Sequence, residues 1–572
     1  MCPKEIDRIN CHEIITSEDY VDIYQRLTVD VEEKAKAAGA VCVQNLTEEN
    51  WIFHIKVDED KCDAYYNELS YMVIPNIYGL SSMSSIDASG IGPILKNKSL
   101  DITGKGVVVA IMDTGIDYTH EAFIYEDNTS KILSLWDQTL PGNPPDGFLY
   151  GAEYSNEEIN EALSLEDPLS MIPSTDEVGH GTFLAGIATG RTNRKKRFQG
   201  AAPDADLVIV KLKQAKKCLM RYYQFKEDAV GFQSNDIMQG LNYLKQKAKE
   251  IGKPMVILFT GASTEGPHNG SVFLEREFAY YGNTYGVVAV IAAGNEGNAA
   301  HHYHGKFEKG EKKINVALNI SPKDRGLFFN MWSVLPDELT IELVSPSGET
   351  SGKVPFISDK WQEIELLLEA TKILVFYEFI EERGGEEAIY VRMINPMPGI
   401  WTIAVHGDFV LNGEFDIWLP VSGLIDSETI FLQPDPNITI VNPSSNPGTI
   451  TVGAYDEVYN SIFLASSRGF TKDGRIKPDI AAPGVNIIGP YPKGVYGVLS
   501  GTSASAGITA GASALLLEWG IVKGNDLALN TVAVKTYLIR GAKRRENIDY
   551  PNREWGFGEL DLLNTYNVVG TK

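Results

Sequence analysis

The stretch "GKGVVVAIMDTGID", residues 104–117, decides the fold class of this chain. Six consecutive apolar residues, Val107 to Met112, run directly into Asp113 and a glycine-containing turn. A short apolar run without polar alternation is typical of a strand that is buried on both faces, as in a parallel sheet covered by helices. The carboxyl ends of such strands border the ligand crevice, so Asp113 is predicted to lie at a functional site.

Similar apolar strands recur on either side of this stretch and alternate with helical stretches. The alternation of buried strands and helices predicts an α/β fold with a doubly wound parallel sheet. The predicted strands include "DLVIVKL", "PMVILFTG", "GVVAVIAAG", "TITVGAYD" and "KPDIAAPGVNI", and the predicted helices include "HGTFLAGIATG" and "SNDIMQGLNYLKQKAKEIG".

Two further modules are predicted. Residues 1–82 combine a charged, helix-like run, "SEDYVDIYQRLTVDVEEKAKAAG", with a strand-rich run, "AVCVQNLTEENWIFHIKV", and are predicted to form a small α+β module. Short strands separated by turn residues fill 306–428 and predict an all-β sandwich, of jelly-roll type. Because α/β patterning resumes afterwards, the sandwich is an insertion between the two parts of one domain, 83–305 and 429–572.

Composition narrows the classes of function. A net charge of -25 argues against nucleic-acid binding and against a polybasic membrane anchor. The opening "MCPKEIDRINCHEIITSED" is charged where a signal peptide needs an apolar core, and no stretch offers about 18 uninterrupted apolar residues. We therefore expect no membrane span and a protein that is made and kept on the cytosolic side of its membrane. The five cysteines lack C-x-x-C pairing, so reduced thiols are expected at Cys2, Cys11, Cys42, Cys62 and Cys218.

Three residues that would each have a structural interpretation alone indicate a catalytic site when they are considered together. Ser503, in "LSGTSASAGITAG", has the surroundings of a helix cap, Asp113 those of a turn former, and His180, in "DEVGHGTFLAGIATG", those of a structural histidine. A hydroxyl nucleophile, however, needs a base and a carboxylate that orients the base. The order Asp, His, Ser, with the serine in G-T-S at a helix start, is the order found in subtilisin.

On these motifs the sequence resembles the subtilisin-like serine proteases, the S8 family. The resemblance implies a serine endopeptidase with Asp113, His180 and Ser503 as its catalytic triad. It also implies that Asn295, in "VIAAGNEGN", forms the oxyanion hole with the backbone amide of Ser503. The segment Thr260, Gly261 and Ala262 would pair with the substrate backbone. No cofactor and no metal are implied, since no acidic loop resembles an EF-hand.

The sequence departs from the family at the serine motif. The usual motif continues with Met, two small residues and Pro, whereas this chain has Ala504, Ser505, Ala506 and Gly507. None of these residues belongs to the triad, so activity is expected to survive. Without the proline, the start of the helix is expected to be less rigid.

The α+β module, the "TGASTEGPHNGS" stretch and the inserted sandwich together resemble the Csp germination proteases of spore-forming clostridia. The resemblance implies a prodomain that acts as intramolecular chaperone and inhibitor, stays bound after autocleavage near "YGLSSMSSIDASGI", and has its last strand in the substrate cleft. The sandwich would rigidify the fold. The implied substrate is the zymogen of a cortex-lytic enzyme, and subtilase-like pseudoproteases are implied partners. Synthesis in the mother cell and incorporation near the spore cortex and coat are implied as well.

Two other functions remain open from the sequence. The chain could be a proteolytically silent sensor or scaffold that carries the triad and is gated by its prodomain. Alternatively, the sandwich could bind glycan and tether the protease to peptidoglycan, because sandwiches serve many unrelated functions.

Overall fold

A computed structural model of the chain describes residues 11–58, 61–79, 89–97, 100–379 and 385–569. The predicted prodomain junction at 82/83 lies outside the described residues, as does Cys2.

The fold is built around a nine-stranded, mainly parallel sheet, as the sequence predicts. Its strand β5, formed by the apolar run before Asp113, is buried along its whole length. Val109 and Ile111 face one helical layer, whereas Ala110 and Met112 face the other, which explains why the run shows no polar alternation. The fold class is therefore the predicted subtilisin-like α/β sheet with helices on both faces.

The N-terminal module is a three-stranded antiparallel sheet in the order β1–β3–β2 with three short helices. The helical interpretation of residues 17–39 is wrong in its first half, where the chain forms strand β1. Val21 and Ile23 alternate toward an apolar core, and Asp22 between them is buried because it forms ion pairs. The elements are α1 (Cys11–Thr16), β1 (Tyr20–Arg26), α2 (Val31–Ala37), β2 (Ala40–Asn45), β3 (Asn50–Lys56), α3 (Cys62–Asn67) and β4 (Ile77–Gly79).

The first part of the catalytic domain supplies most of the large sheet. The order of strands in the sheet is β24 (Ser461–Ile462), β23 (Ile450–Asp456), β11, β10, β5, β8, β6 and β7, with β25 (Ile480–Pro483) beside β23. The elements of this part are α4 (Ile91–Lys96), β5 (Val108–Asp113), β6 (Ile132–Asp137), β7 (Ala152–Ser155), α5 (Asn156–Leu163), α6 (His180–Thr189), β8 (Asp206–Lys211), α7 (Lys217–Tyr222), β9 (Gly231–Gln233), α8 (Ser234–Ile251), β10 (Met255–Phe259), α9 (Phe273–Gly282) and β11 (Val287–Ala292).

The insertion is a sandwich of a six-stranded and a five-stranded antiparallel sheet. Its strands extend from His302 to Phe431, so the predicted limits of 306 and 428 fall just inside this span. The strands are β12 (His302–Lys306), β13 (Lys313–Ile320), β14 (Gly326–Val334), β15 (Glu338–Val344), β16 (Thr350–Lys353), β17 (Gln362–Leu366), β18 (Thr371–Glu378), β19 (Glu386–Ile394), β20 (Gly399–Phe409), β21 (Glu414–Trp418) and β22 (Ile430–Phe431).

The first and last long strands of the sandwich are neighbours. β12 pairs antiparallel with β21, so that His302 lies opposite Trp418. The amide of Leu419 donates to the carbonyl of His301 over 2.8 Å, and that of Phe431 to the carbonyl of Ala300 over 3.0 Å. The chain therefore leaves the catalytic domain and returns to it at the same place.

The remaining residues complete the catalytic domain. The elements are β23 (Ile450–Asp456), β24 (Ser461–Ile462), β25 (Ile480–Pro483), β26 (Ile487–Tyr491), β27 (Val495–Leu499), α10 (Thr502–Leu517), α11 (Thr531–Gly541) and α12 (Leu562–Val569). The segment Thr502–Val522 is long and apolar enough to cross a membrane by length and composition, and 83% of its most apolar window is buried inside the protein. It is the central core helix.

All three parts of the chain contribute to one aromatic cluster. Tyr71 of the N-terminal module stacks on Tyr390 of the sandwich, with 3.8 Å between ring centroids. Phe328 of the sandwich lies 4.9 Å from Tyr223 of the catalytic domain, again between ring centroids. The cluster makes the sandwich and the N-terminal module part of one packed interior with the catalytic domain.

Four of the five cysteines are paired, which corrects the expectation of reduced thiols. Cys11 is bonded to Cys42, and Cys62 to Cys218, with Cα–Cα distances of 5.6 and 5.8 Å. Both distances lie within the range that a disulfide spans, about 4.4–6.8 Å. The partners are 31 and 156 residues apart, so no local spacing in the sequence marks either pair.

Candidate active site

Asp113 and His180 form a buried hydrogen-bonded pair. Nδ1 of His180 lies 2.8 Å from Oδ1 and 3.0 Å from Oδ2 of Asp113. Burial alone raises the pKa of Asp113, but His180 and the hydrogen bonds from Thr114 and Thr260 outweigh it, so that the pKa lies below its usual value. An ionised carboxylate only accepts, so Nδ1 carries the proton and Nε2 has the electron pair of a base.

A second carboxylate, Asp176, fixes the position of His180. Its oxygens accept from the hydroxyls of Thr114 and Thr182 and from the amides of Gly179 and Thr182, at 2.7–2.8 Å. Thr114 directly follows Asp113, and Thr182 lies in the first turn of α6. Asp176 therefore joins the end of β5 to the start of α6, and the sequence analysis missed it.

Ser503 lies in the first turn of α10, where small residues allow close packing against α6. A Cβ atom at Gly507 would lie 2.6 Å from Cδ1 of Ile187, and one at Gly511 would lie 2.8 Å from the carbonyl oxygen of Ala188. The helix forms without the proline of the usual motif. Ser505 anchors it by donating from Oγ to the carbonyl of Ala482 over 3.0 Å.

The side chain of Ser503 is fully buried, and its Oγ has no hydrogen-bond partner within the described ranges. Because the hydroxyl is held neither by a cap interaction nor by a backbone carbonyl of its helix, the helix-cap interpretation of Ser503 is not supported by its contacts.

Asn295 is oriented by the residue before Ser503. Its Oδ1 accepts from both the amide and the hydroxyl of Thr502, over 3.1 and 3.2 Å. The Thr502 hydroxyl also accepts from the amide of Gly294 over 3.2 Å. With Oδ1 engaged in this way, Nδ2 of Asn295 is the end of the amide that is directed away from Thr502.

Strand β4 lies between two backbone edges of the catalytic domain. Along one edge it pairs antiparallel with β9, with Gly79 opposite Gly231. On the other edge, Gly79 and Ala262 exchange both backbone hydrogen bonds, at 2.8 and 2.9 Å. A chain held this way is bound as an added strand, which is how an extended peptide binds a sheet edge.

The three residues predicted to bind substrate backbone differ in role. Only Ala262 pairs with β4 among the contacts described. Thr260 instead donates from Oγ1 to Oδ2 of Asp113 over 3.2 Å, so its side chain supports the carboxylate that is paired with His180. Gly261 joins the two, and a Cβ there would lie 2.5 Å from the ring of Phe259. The opposite edge, β9, is only three residues long and gave no usable sequence signal.

A buried carboxyl group borders this cleft. Oε2 of Glu265 accepts from the Tyr71 hydroxyl over 2.7 Å and from Nδ2 of Asn330 over 3.4 Å. Burial raises the pKa of Glu265 to about 7, despite the opposing effect of the Tyr71 hydrogen bond. Glu265 thus joins the catalytic domain to the N-terminal module and the sandwich.

A buried ionic network holds the N-terminal sheet on the catalytic domain. Oδ1 of Asp22 lies 2.7 Å from Nζ of Lys216 and 2.7 Å from Nδ1 of His54. Burial raises the pKa of Asp22, but Lys216 and His54 hold it far below the usual range. Breaking such a buried pair leaves an uncompensated charge, so the network fixes how the module docks.

Within the described residues, no group of three or more His, Cys, Asp and Glu side chains is placed to hold a metal ion. The chemistry available here is that of an Asp–His pair, a serine hydroxyl and an amide donor beside a peptide-binding edge.

The sequence of this chain is similar to those of known proteases. The model of the Subtilase family matches residues 104–318 and 432–558. The C5a peptidase of Streptococcus pyogenes is 24% identical over 451 residues, which are 72% of this chain and 35% of that protein. This chain therefore spans about a third of the length of that relative. Membrane-bound transcription factor site-1 protease of Mus musculus is 36% identical over 139 residues, 23% of this chain and 13% of that protein.

A solved structure matches 84% of the chain. The structure of the CspB protease of Clostridium perfringens superposes with a TM-score of 0.75 and 33% sequence identity. The match covers 84% of this chain and 96% of the other, so it includes more than the catalytic domain alone.

Proposed function

This chain belongs to the subtilase family of serine endopeptidases, and we propose that it uses Asp113, His180 and Ser503 to cut its own chain shortly after Gly79 and then to cut a protein substrate. The observation that carries this proposal is the position of β4. The N-terminal module places its own backbone on Ala262, on the edge where a substrate would bind.

In the proposed reaction, His180 Nε2 takes the proton of the Ser503 hydroxyl as Oγ attacks the scissile carbonyl. Asp113 keeps His180 in the required tautomer and stabilises the imidazolium that forms. Nδ2 of Asn295 and the amide of Ser503 donate to the developing oxyanion. His180 then protonates the leaving amine, and water hydrolyses the acyl-enzyme by the same route.

The position of the first cut follows from the two described segments on either side of it. β4 ends in the cleft at Gly79, whereas Gly90 lies against α12, since a Cβ at Gly90 would be 2.8 Å from Oδ1 of Asp561. We therefore expect the bond that is cut to lie between residues 80 and 90.

Autoprocessing is tested by comparing the parent with Ser503→Ala. We expect the parent to give two fragments that copurify, with a new N-terminus between residues 80 and 90, and Ser503→Ala to stay in one folded piece. Fragments from Ser503→Ala in a protease-deficient host would contradict self-cleavage. An uncut parent whose Ser503 is not labelled by a fluorophosphonate would instead favour the silent sensor or scaffold.

For the biological role, we propose limited proteolysis of a cortex-lytic zymogen during spore germination. The likeness to CspB over 96% of that chain supports this assignment. Subtilase-like pseudoproteases are the proposed partners. The test is whether purified parent, but not Ser503→Ala, shortens such a zymogen by one cut. A parent that leaves the zymogen intact both with and without dithiothreitol, although it has processed itself, would contradict this role.

We also propose synthesis in the mother-cell cytoplasm and incorporation into the spore. The two disulfides favour a final location outside the reducing cytosol, because cytosolic thiols are kept reduced.

A further inference from the structure

The Cys62–Cys218 disulfide joins the two sides of the proposed cut. Cys62 begins α3 in the N-terminal module, and Cys218 lies in α7 of the catalytic domain. The chain between them passes through β4 and residues 80–90. Cys11–Cys42, in contrast, lies entirely on the N-terminal side of the cut.

We propose that the Cys62–Cys218 disulfide is a covalent tether that keeps the cleaved prodomain on the enzyme until a dithiol reductant breaks it. The tether rests on the proposed autoprocessing, because an uncut chain needs no second link. With the peptide bond cut, the two fragments remain one covalent molecule, and β4 stays beside the edge at Ala262.

The tether changes the binding of β4 from a bimolecular to an intramolecular event. Cys62 precedes Ile77 by only 15 residues, so a displaced β4 remains close to the cleft. Short links between two binding segments give effective concentrations of about millimolar. The cleaved but tethered protein is therefore expected to remain self-inhibited at any dilution, whereas in a reduced one only noncovalent contacts, such as the Asp22–Lys216 ion pair, retain the prodomain.

Access to the disulfide is controlled by the packing of α3. Cys62 and Cys218 are each only 1% exposed. The end of α3 is held by the sandwich, since Nη1 of Arg392 donates to Oδ1 of Asn67 over 2.6 Å. Tyr66 packs on Tyr222 of α7, with 5.1 Å between ring centroids. Reduction must therefore follow a local separation of α3 from α7, and the tether breaks in two ordered steps.

The reduction step itself is a thiol–disulfide exchange. A thiolate of the dithiol attacks one sulfur, which releases the other cysteine as a thiolate and forms a mixed disulfide. The second thiol of the reductant, as thiolate, then displaces the remaining cysteine. Two electrons and two protons pass to Cys62 and Cys218, and the dithiol becomes a cyclic disulfide.

The experiment compares the parent, Cys62→Ser and the control Cys11→Ser after alkylation of free thiols. On denaturing gels without reductant, we expect cleaved parent and cleaved Cys11→Ser to run as one full-length species. Cleaved Cys62→Ser should run as two. Dithiothreitol should separate all three proteins into two fragments. Separation of the cleaved parent without reductant would overturn the proposal.

A second measurement keeps the tether distinguishable from autoprocessing. Proteolytic mapping of alkylated, unreduced Ser503→Ala by mass spectrometry should give a cross-linked peptide pair that contains Cys62 and Cys218. Its absence would overturn the tether even if self-cleavage occurs. Its presence, combined with a parent protein that never cuts itself, would support the disulfide but contradict the proposed function. If Cys62→Ser does not fold, Cys218→Ala replaces it in the gel assay.

Discussion

The single carboxyl group of Glu265 links three parts of the chain that are far apart in sequence. Its partners, Tyr71 and Asn330, lie in the N-terminal module and in the sandwich. Because burial raises its pKa to about 7, the folded protein binds more protons here than the unfolded chain between about pH 4.5 and pH 7. The contribution of Glu265 to the free energy of unfolding is therefore fully present below about pH 4.5 and falls as the pH rises to 7.

Glu265→Gln should remove this pH dependence, because glutamine keeps an acceptor for the Tyr71 hydroxyl but does not ionise. Both proteins carry Ser503→Ala, and they differ only in Glu265→Gln. Between pH 5 and pH 8, we expect the free energy of unfolding of the protein that keeps Glu265 to fall by on the order of 1–3 kcal/mol more than that of the Glu265→Gln protein. Chemical denaturation at the two pH values measures the difference. The exposed Glu546→Gln is the control and should follow the parent. An equal slope for Glu265→Gln would show that Glu265 is ionised throughout.

At the scale of residues, candidate site residues could be predicted from the sequence where they lie in a short continuous motif. Asp113, His180 and Ser503 each lie in a short pattern, and their order along the chain is the one found in subtilisin. Asp176, Glu265 and the disulfide partners gave no such pattern, because each acts through residues that only folding brings close. The expectation of reduced thiols failed for this reason.

At the scale of elements, the close approach of α6 and α10 determines where His180 and Ser503 lie. The small residues of "SASAGITAG" are required by this packing and not only by the chemistry of the serine. The wrong prediction of a helix at residues 17–39 also belongs to the scale of elements. Asp22 interrupts the apolar residues of β1, so the sequence pattern indicated an amphipathic helix. The side chains that form ion pairs with buried Asp22 belong to other parts of the chain.

Gly511→Ala tests the helix packing. The new methyl group would lie 2.3 Å from Cβ of Ala201, so α10 must shift away from its neighbours. We expect a loss of about 1–3 kcal/mol from overpacking, although alanine favours an isolated helix by about 1 kcal/mol over glycine. Thermal unfolding measures the loss, and reduced fluorophosphonate labelling of Ser503 reports the displacement.

The exposed Thr536→Ala in α11 is the control for Gly511→Ala, since it introduces the same residue into a helix without a new contact. A Gly511→Ala protein as stable as this control would mean that α6 and α10 are not closely packed.

At the scale of the whole molecule, one sheet of the sandwich packs against the rest of the protein, so the sandwich contributes side chains to the shared interior. In β14, Leu327, Phe329 and Met331 face the core between the two sheets, whereas Phe328 and Trp332 face the cluster shared with the N-terminal module. The apolar stretch "GLFFNMWSV" therefore has two buried faces. From the sequence, an insertion of short strands was predictable, but the surface on which it packs was not.

Tyr390→Ala should loosen the N-terminal module. Removing the ring stacked on Tyr71 leaves a cavity, and truncation of a buried aromatic side chain costs about 3–5 kcal/mol. We expect an added protease to digest the N-terminal module faster than in the parent, because digestion follows local opening. Gel densitometry of limited digests measures the rate.

Tyr303→Ala is the matched control for Tyr390→Ala, because Tyr303 contacts Phe415 and Phe431 inside the sandwich. It should destabilise the sandwich and leave the N-terminal module comparatively protected. Equal digestion of the N-terminal module in both variants would mean that the stacked pair does not hold it.

The closeness of the two ends of the sandwich also bears on how such a protein arises in evolution. The amide of Phe431 donates to the carbonyl of Ala300 over 3.0 Å, so a gene without the insertion needs only a tight turn to bridge the two connections. Adding or removing the whole module at this point would not reroute the catalytic sheet. The later change is then gradual, as substitutions on the faces of β14 and β19 that meet the N-terminal module fit the sandwich to the rest of the protein.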